Sequence, residues 1–164
     1  MKIWYSCKVK YGKVNDEGIM KQTTDVFLVD AMSYTEAESR IYAAMERDVS
    51  GEFAVTNISK TNIGELIHFE DADYWYKAKV TYSSVDGDSG KEVNVNTYFL
   101  VNAEDLKHAF DRVSDSLNSM LVPFEIPSIA KTNVVEVYPY DAEEEEIPDN
   151  LKPLSEIEEE VETE

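Results

Sequence analysis

Two clusters of tryptophan and lysine offer this chain's clearest chemistry. Trp4, Lys8 and Lys10 are followed much later by Trp75, Lys77 and Lys79. On a strand, period-two spacing puts each set on one face. An indole followed by ammonium groups suits single-stranded nucleic acid. The ring stacks on a base, worth about 1–3 kcal/mol per base, and the cations pair with phosphates. The competing reading makes both indoles plugs between two halves of the fold and the lysines plain solubilising groups. Lys60-Thr61-Asn62 and Lys131-Thr132-Asn133 also recur unchanged. A lysine beside two small polar groups can hold a phosphate. Equally, Thr-Asn makes a bulge or turn between two strands, with the asparagine taking positive φ. The candidate nucleic-acid contacts are therefore Trp4, Lys8, Lys10, Trp75, Lys77 and Lys79, with Lys60 and Lys131 added by the phosphate reading.

Other chemistry is thinly represented. Asp86-x-Asp88-x-Gly90 opens like a calcium loop, but the twelfth position, where a glutamate is needed, is Thr97. It reads as a hairpin turn. His68 and His108 are far apart and have no second ligand at metal spacing, so no metal site is expected. Cys7, the single cysteine, reads as a small core residue and precludes an internal disulfide. There is no glycine-rich phosphate loop, nucleophile elbow or HExxH motif. No catalytic residue and no cofactor is expected, and the chain is read as non-enzymatic.

The elements that must position these residues are written twice. Trp4-Tyr5-x-x-Lys8-Val9-x-Tyr11 returns as Trp75-Tyr76-x-x-Lys79-Val80-x-Tyr82, an offset of 71. Val26 to Ala31 returns as Tyr98 to Ala103 at an offset of 72, and Phe53 to Asn62 as Phe124 to Asn133 at 71. Internal repetition of this kind decides architecture first. In each unit an alternating strand leads through a turn (Asn15-Asp16-Glu17-Gly18 in the first) into a second strand. A helix follows. Ser33-x-x-Glu36 is a capping box, and Ala37, Ile41, Ala44 and Met45 form an apolar stripe matched by Ala109, Val113 and Leu117. A last strand, interruptible at Lys60-Thr61-Asn62, closes the unit. Pro123 and Pro127 mark its second copy as an edge or bend.

The expected fold is α+β: a tandem ββαβ duplication with pseudo-twofold symmetry, its sheet carrying helices on one face. Residues 1–70 and 71–140 are the two repeats. Units of about 70 residues bury little alone, so one compact body is expected. Residues 141–164 hold twelve acids and one lysine, a net charge of −11 out of −19 for all 164 residues. Such a block reads as a disordered, solvated interaction tail. No stretch reaches the ~20 apolar residues needed to span a bilayer, and no apolar run follows the first charges as in a signal peptide. A cytosolic protein without membrane contact is expected.

Trp4, the run from Phe27-Leu28-Val29-Asp30-Ala31 through Thr35-Glu36-Ala37-Glu38, Ser50-Gly51-Glu52-Phe53 and Val137-Tyr138-Pro139-Tyr140 together resemble an uncharacterised domain family. That family, of unknown function, is common in gut Bacteroidota and their crAss-like phages. The resemblance covers about residues 1–140 and implies a bacterial host cytosol and a replication-linked or host-interaction role. The tail is similar to the acidic tails of phage and bacterial single-stranded DNA-binding proteins, which compete with DNA and recruit replication partners. It differs in ending Glu162-Thr163-Glu164, without a terminal aromatic. The first expectation is thus a single-stranded DNA- or RNA-binding protein with a regulatory tail that recruits a basic or replication protein. The alternative is a protein-interaction adaptor or anti-defence protein whose acidic surface meets a basic partner.

Overall fold

The computed structural model describes residues 2–140; the acidic tail lies outside the described residues. The elements run β1 (Ile3–Val14), β2 (Met20–Ala31), α1 (Tyr34–Asp48), β3 (Phe53–Lys60), β4 (Ile63–Ile67), β5 (Tyr74–Val85), β6 (Glu92–Ala103), α2 (Leu106–Leu117), β7 (Phe124–Lys131) and β8 (Val134–Tyr138). The α+β duplication is as expected. Each repeat, however, carries a fourth, short strand. β4 and β8 are the pieces left when the closing strand breaks at Lys-Thr-Asn.

Those short strands are exchanged. The first sheet has the order β3-β1-β2-β8 and the second β4-β6-β5-β7. β8 of the second repeat runs parallel to β2, and β4 of the first runs parallel to β6. The remaining pairings are antiparallel. In place of one sheet there are two, each completed by a strand from the other half and each backed by its own helix.

Alternation in β1 sends Tyr5, Cys7 and Val9 to α1, where they meet Phe27, Val29, Ala37, Ile41 and Met45 in a closed cluster. The second sheet repeats this with Tyr76, Ala78, Val80, Val101, Ala109, Val113 and Leu117. Each fully buried large apolar side chain contributes about 1.5–3 kcal/mol. Both helices begin with a side-chain cap. The Glu36 N–H donates to Ser33 Oγ at 3.1 Å and the His108 N–H to Asp105 Oδ1 at 2.8 Å. Glu36 reaches back to the Met32 N–H rather than to that of Ser33 itself. Gly18 and Gly90 hold positive φ in the two hairpin loops, at 80° and 69°. No helix among the described residues is long and apolar enough to cross a membrane.

A third cluster lies between the sheets. Trp75, Leu28, Leu100 and Val137 are buried in it, with Trp4, Ile63, Leu66 and Val134 packed around them. These residues come from the sheet faces turned away from the helices, so the two sheets meet back to back over this patch.

Candidate functional site

Each exchange turns on one threonine. The Thr61 N–H and hydroxyl both donate to the Trp4 carbonyl, at 2.9 and 2.8 Å, and Thr61 Oγ1 accepts from the Ile63 N–H at 3.3 Å. Thr132 does the same with the Trp75 carbonyl, at 2.8 and 2.8 Å, and with the Val134 N–H at 3.3 Å. The identical Lys-Thr-Asn triplets are thus corners that redirect the chain from one sheet to the other. Positive φ plays no part, since among the described residues only glycines adopt it.

The tryptophans are where the corner geometry places them. Trp75 is 3% exposed and Trp4 half-buried, both in the intersheet cluster. The expectation of two solvent-facing platforms is corrected for Trp75, whose ring is packed against Leu28, Leu100 and Val137, whereas Trp4 stays partly exposed. Lys8 and Lys10 are exposed on the same face of β1 as Trp4. Lys77 and Lys79 are half-buried. The Lys77 ammonium donates to Asn62 Oδ1 and lies 4.8 Å from the Tyr98 ring centroid. Desolvation holds its pKa below the ordinary lysine value.

Lys60 and Lys131 do not join these lysines. They pair across the ladder with Tyr5 and Tyr76, which face the helices, and directly opposed residues share a face. Lys131 Nζ lies 3.9 Å from the Tyr74 ring centroid. The eight candidate contacts are therefore divided among a buried cluster, an inner sheet face and two outer edges.

Other residues, unremarked in the sequence, build the seams where exchanged strands arrive. Arg40 on α1 pairs with Asp30 Oδ1 at 2.6 Å and donates to the carbonyl of Pro139, just past β8, at 3.2 Å. Arg112 on α2 donates to the Asn102 carbonyl at 2.6 Å and to both Asp71 oxygens at 2.6 Å, just past β4. That guanidinium holds the Asp71 carboxyl below its usual range. Buried Asn102 accepts from the Phe69 N–H at 2.7 Å and donates to the Ala72 carbonyl at 2.9 Å. Each helix thus clamps the segment entering from the other repeat.

At the second seam the clamped segment borders a cleft of about 680 Å³. Glu70, Asp73 and Glu136 supply carboxylates, His68 and Tyr74 supply rings, and Trp75 forms part of the wall. The His68 and Trp75 ring centroids are 5.4 Å apart. No lysine or arginine is among the lining residues. The sequence signal for this cleft was a charge reversal within the repeat, since Asp73 corresponds to Lys2. Only the strand exchange brings the residues around Asp73 to those around Glu136. Among the described residues no group of three or more histidine, cysteine, aspartate or glutamate side chains is arranged to hold a metal ion.

No curated protein and no solved structure matches the sequence. A family model does, over residues 3–140. The chain belongs to the family described as a domain of unknown function, DUF4494.

Proposed function

We propose that this DUF4494 member is a non-enzymatic protein-interaction module that engages a basic partner in the cytosol of a bacterial host cell. One observation carries the reading: the tryptophans are spent on joining the two sheets, while the cleft between them is lined by three carboxylates without a compensating cation. The overall charge of −19 points the same way. A surface of one sign steers a partner of the other and raises the encounter rate more than the affinity, with strong dependence on salt. An adaptor or an antagonist of a host nucleic-acid-binding protein fits this description, because such proteins present basic faces.

The test has two arms. Immobilised full-length protein is expected to retain a basic protein from bacterial lysate and to release it as salt rises. Titration with poly-dT at low salt is expected to leave tryptophan fluorescence unquenched. Quenching that weakens with salt, together with no retained protein, would return the assignment to single-stranded nucleic acid held by Lys8, Lys10, Lys77 and Lys79.

A further inference from the structure

We infer that the outer edge of β3 accepts an extended, lysine-bearing segment of the basic partner as an added strand, with one lysine ammonium reaching Glu38. The inference rests on the interaction reading above and names the surface used and the form of the segment that binds it. Three observations meet at this edge.

The first is an unpaired strand. β3 lies at the end of the order β3-β1-β2-β8, and among the described residues it pairs only with β1. Its eight residues, Phe53–Lys60, thus present a row of backbone donors and acceptors on the outer side, a template for another strand. A bulge at Thr56, whose hydroxyl donates to the Lys8 carbonyl at 3.3 Å, divides that row. Beyond the bulge the ladder runs regularly from Asn57 to Lys60.

The second is the helix face beside the strand. Tyr34, Glu38 and Tyr42 recur every fourth residue of α1 and so share one face. With Val55, Thr56, Asn57 and Ile58 of β3 they line a depression of about 60 Å³, room for the end of one side chain. The tyrosines are 52% and 41% exposed. Glu38 is exposed and engages no other described side chain. A strand added beyond β3 turns every second side chain toward this face. A lysine there lays its methylene stem along the rings and its ammonium at the carboxylate between them. Main-chain bonds then supply affinity and the depression supplies selectivity, as in strand addition generally.

The third is the contrast with β7, the corresponding edge. The offset of 71 puts Pro127 where β3 has Thr56, and the β7 ladder shifts register at the same place. Proline has no N–H to offer and is one of the ways an edge is closed. The helix differs too. At an offset of 72, Leu106, Phe110 and Ser114 stand where α1 has Tyr34, Glu38 and Tyr42, so a phenyl ring replaces the carboxylate. One edge is interrupted and apolar; the other is open and acidic. A second copy of this chain suits the open edge poorly, because two chains of −19 repel each other.

The test uses full-length protein and backbone NMR. The probe is the peptide acetyl-Val-Lys-Val-Lys-Val-Lys-amide. Its glutamate analogue controls for charge, and a version N-methylated at alternate residues controls for strand pairing. The lysine peptide is expected to shift Asn57 to Lys60 and the Tyr34 to Tyr42 face saturably, with a Kd on the order of millimolar. It should also slow amide exchange along β3 and leave β7 unmoved, and neither control should do so. Thr56→Pro, which copies a proline that the same bulge already accommodates in β7, is expected to weaken binding about tenfold or more. Glu38→Gln, which keeps the side-chain shape, is expected to weaken it about fivefold. Silence at β3, equal shifts at β7, undiminished binding of the N-methylated peptide, or full binding by Glu38→Gln would each overturn the inference. A dimer that forms without peptide and dissociates in Thr56→Pro would also overturn it, reassigning the edge to a second copy. If Thr56→Pro retains the lysate partner as well as the unaltered protein does, the interaction reading survives and the edge assignment fails. If the peptide pairs with β3 but no partner is retained, the interaction reading fails on its own.

Discussion

The two seams share a scaffold and differ in charge. Both turn on a threonine that donates twice to a tryptophan carbonyl, and both are clamped by an arginine at the same helical position. Around that scaffold Lys2 corresponds by the repeat to Asp73, Gly64 to Val135 and Asp30 to Asn102. Where the sheets are joined the two copies are held to one solution, because an altered corner would misplace an entire strand. The rims carry no such requirement and have diverged to opposite charge. Duplication therefore separates what holds the fold from what it presents to a partner.

The burial of the two indoles is the sharpest way to challenge that comparison. Trp75→Ala is expected to destabilise the protein by about 3–5 kcal/mol, since it empties the centre of the intersheet cluster. That is a large share of the ~5–15 kcal/mol that holds a typical domain together. Trp4→Ala should cost clearly less, because its ring is already partly in water. Urea denaturation of both variants decides the matter; equal losses would mean that the seams are equally packed.

Asn102 comes next. Asn102→Asp keeps an acceptor for the Phe69 N–H but turns a carboxylate toward the Phe69 and Ala72 carbonyls, which the amide now serves as donor. A loss of about 2–3 kcal/mol is expected, together with faster amide exchange from His68 to Asp73. The reciprocal Asp30→Asn should be milder, because Arg40 retains the Asp30 and Pro139 carbonyls. Comparable losses at both positions would refute the idea that the two clamps have specialised. The corners should behave oppositely. Thr61→Val and Thr132→Val each remove one hydroxyl with the same two bonds, so each should cost about 1–2 kcal/mol and the two should agree closely.

Much of this was legible in the repeat. Its period located both hairpins, both helices and the break at Lys60-Thr61-Asn62, because alternation and helical stripes are local signals. The partner of β4 was not legible. A five-residue strand pairs wherever a free edge lies, and nothing in Ile63-Gly64-Glu65-Leu66-Ile67 says that the edge belongs to the other repeat. The direction of the indoles was lost with it. Alternation correctly set Trp4 and Trp75 on the faces opposite the helices, but whether those faces meet water or each other depends on the exchange. Lys60 and Lys131 entered only through the phosphate reading of their own triplets, and the register puts them on the sheet face opposite the other lysines. The cleft left only the Lys2/Asp73 charge reversal in the repeat as a signal, since its two walls lie about 60 residues apart and meet only across the seam.

The smallest expected effect compares the interior of the first sheet with its rim. Cys7 is fully buried beneath α1, and desolvation raises its thiol pKa from an ordinary value of 9.0 to about 12. The folded state therefore holds this proton more tightly than the unfolded chain. The resulting contribution to stability is complete below about pH 9 and declines as pH rises toward 12, because the unfolded thiol ionises first. Two measurements follow. The thiol should react with a disulfide reagent only at the rate of unfolding, since the thiolate is the nucleophile and the folded protein scarcely forms it. In Cys7→Ala, the fall in stability between pH 9 and pH 11 should be shallower than in the unaltered protein, even though the variant starts lower for want of packing. Rapid labelling at neutral pH would show that the sheet opens beside α1 without global unfolding, and the two sheets would then differ in rigidity as well as in the charge of their seams.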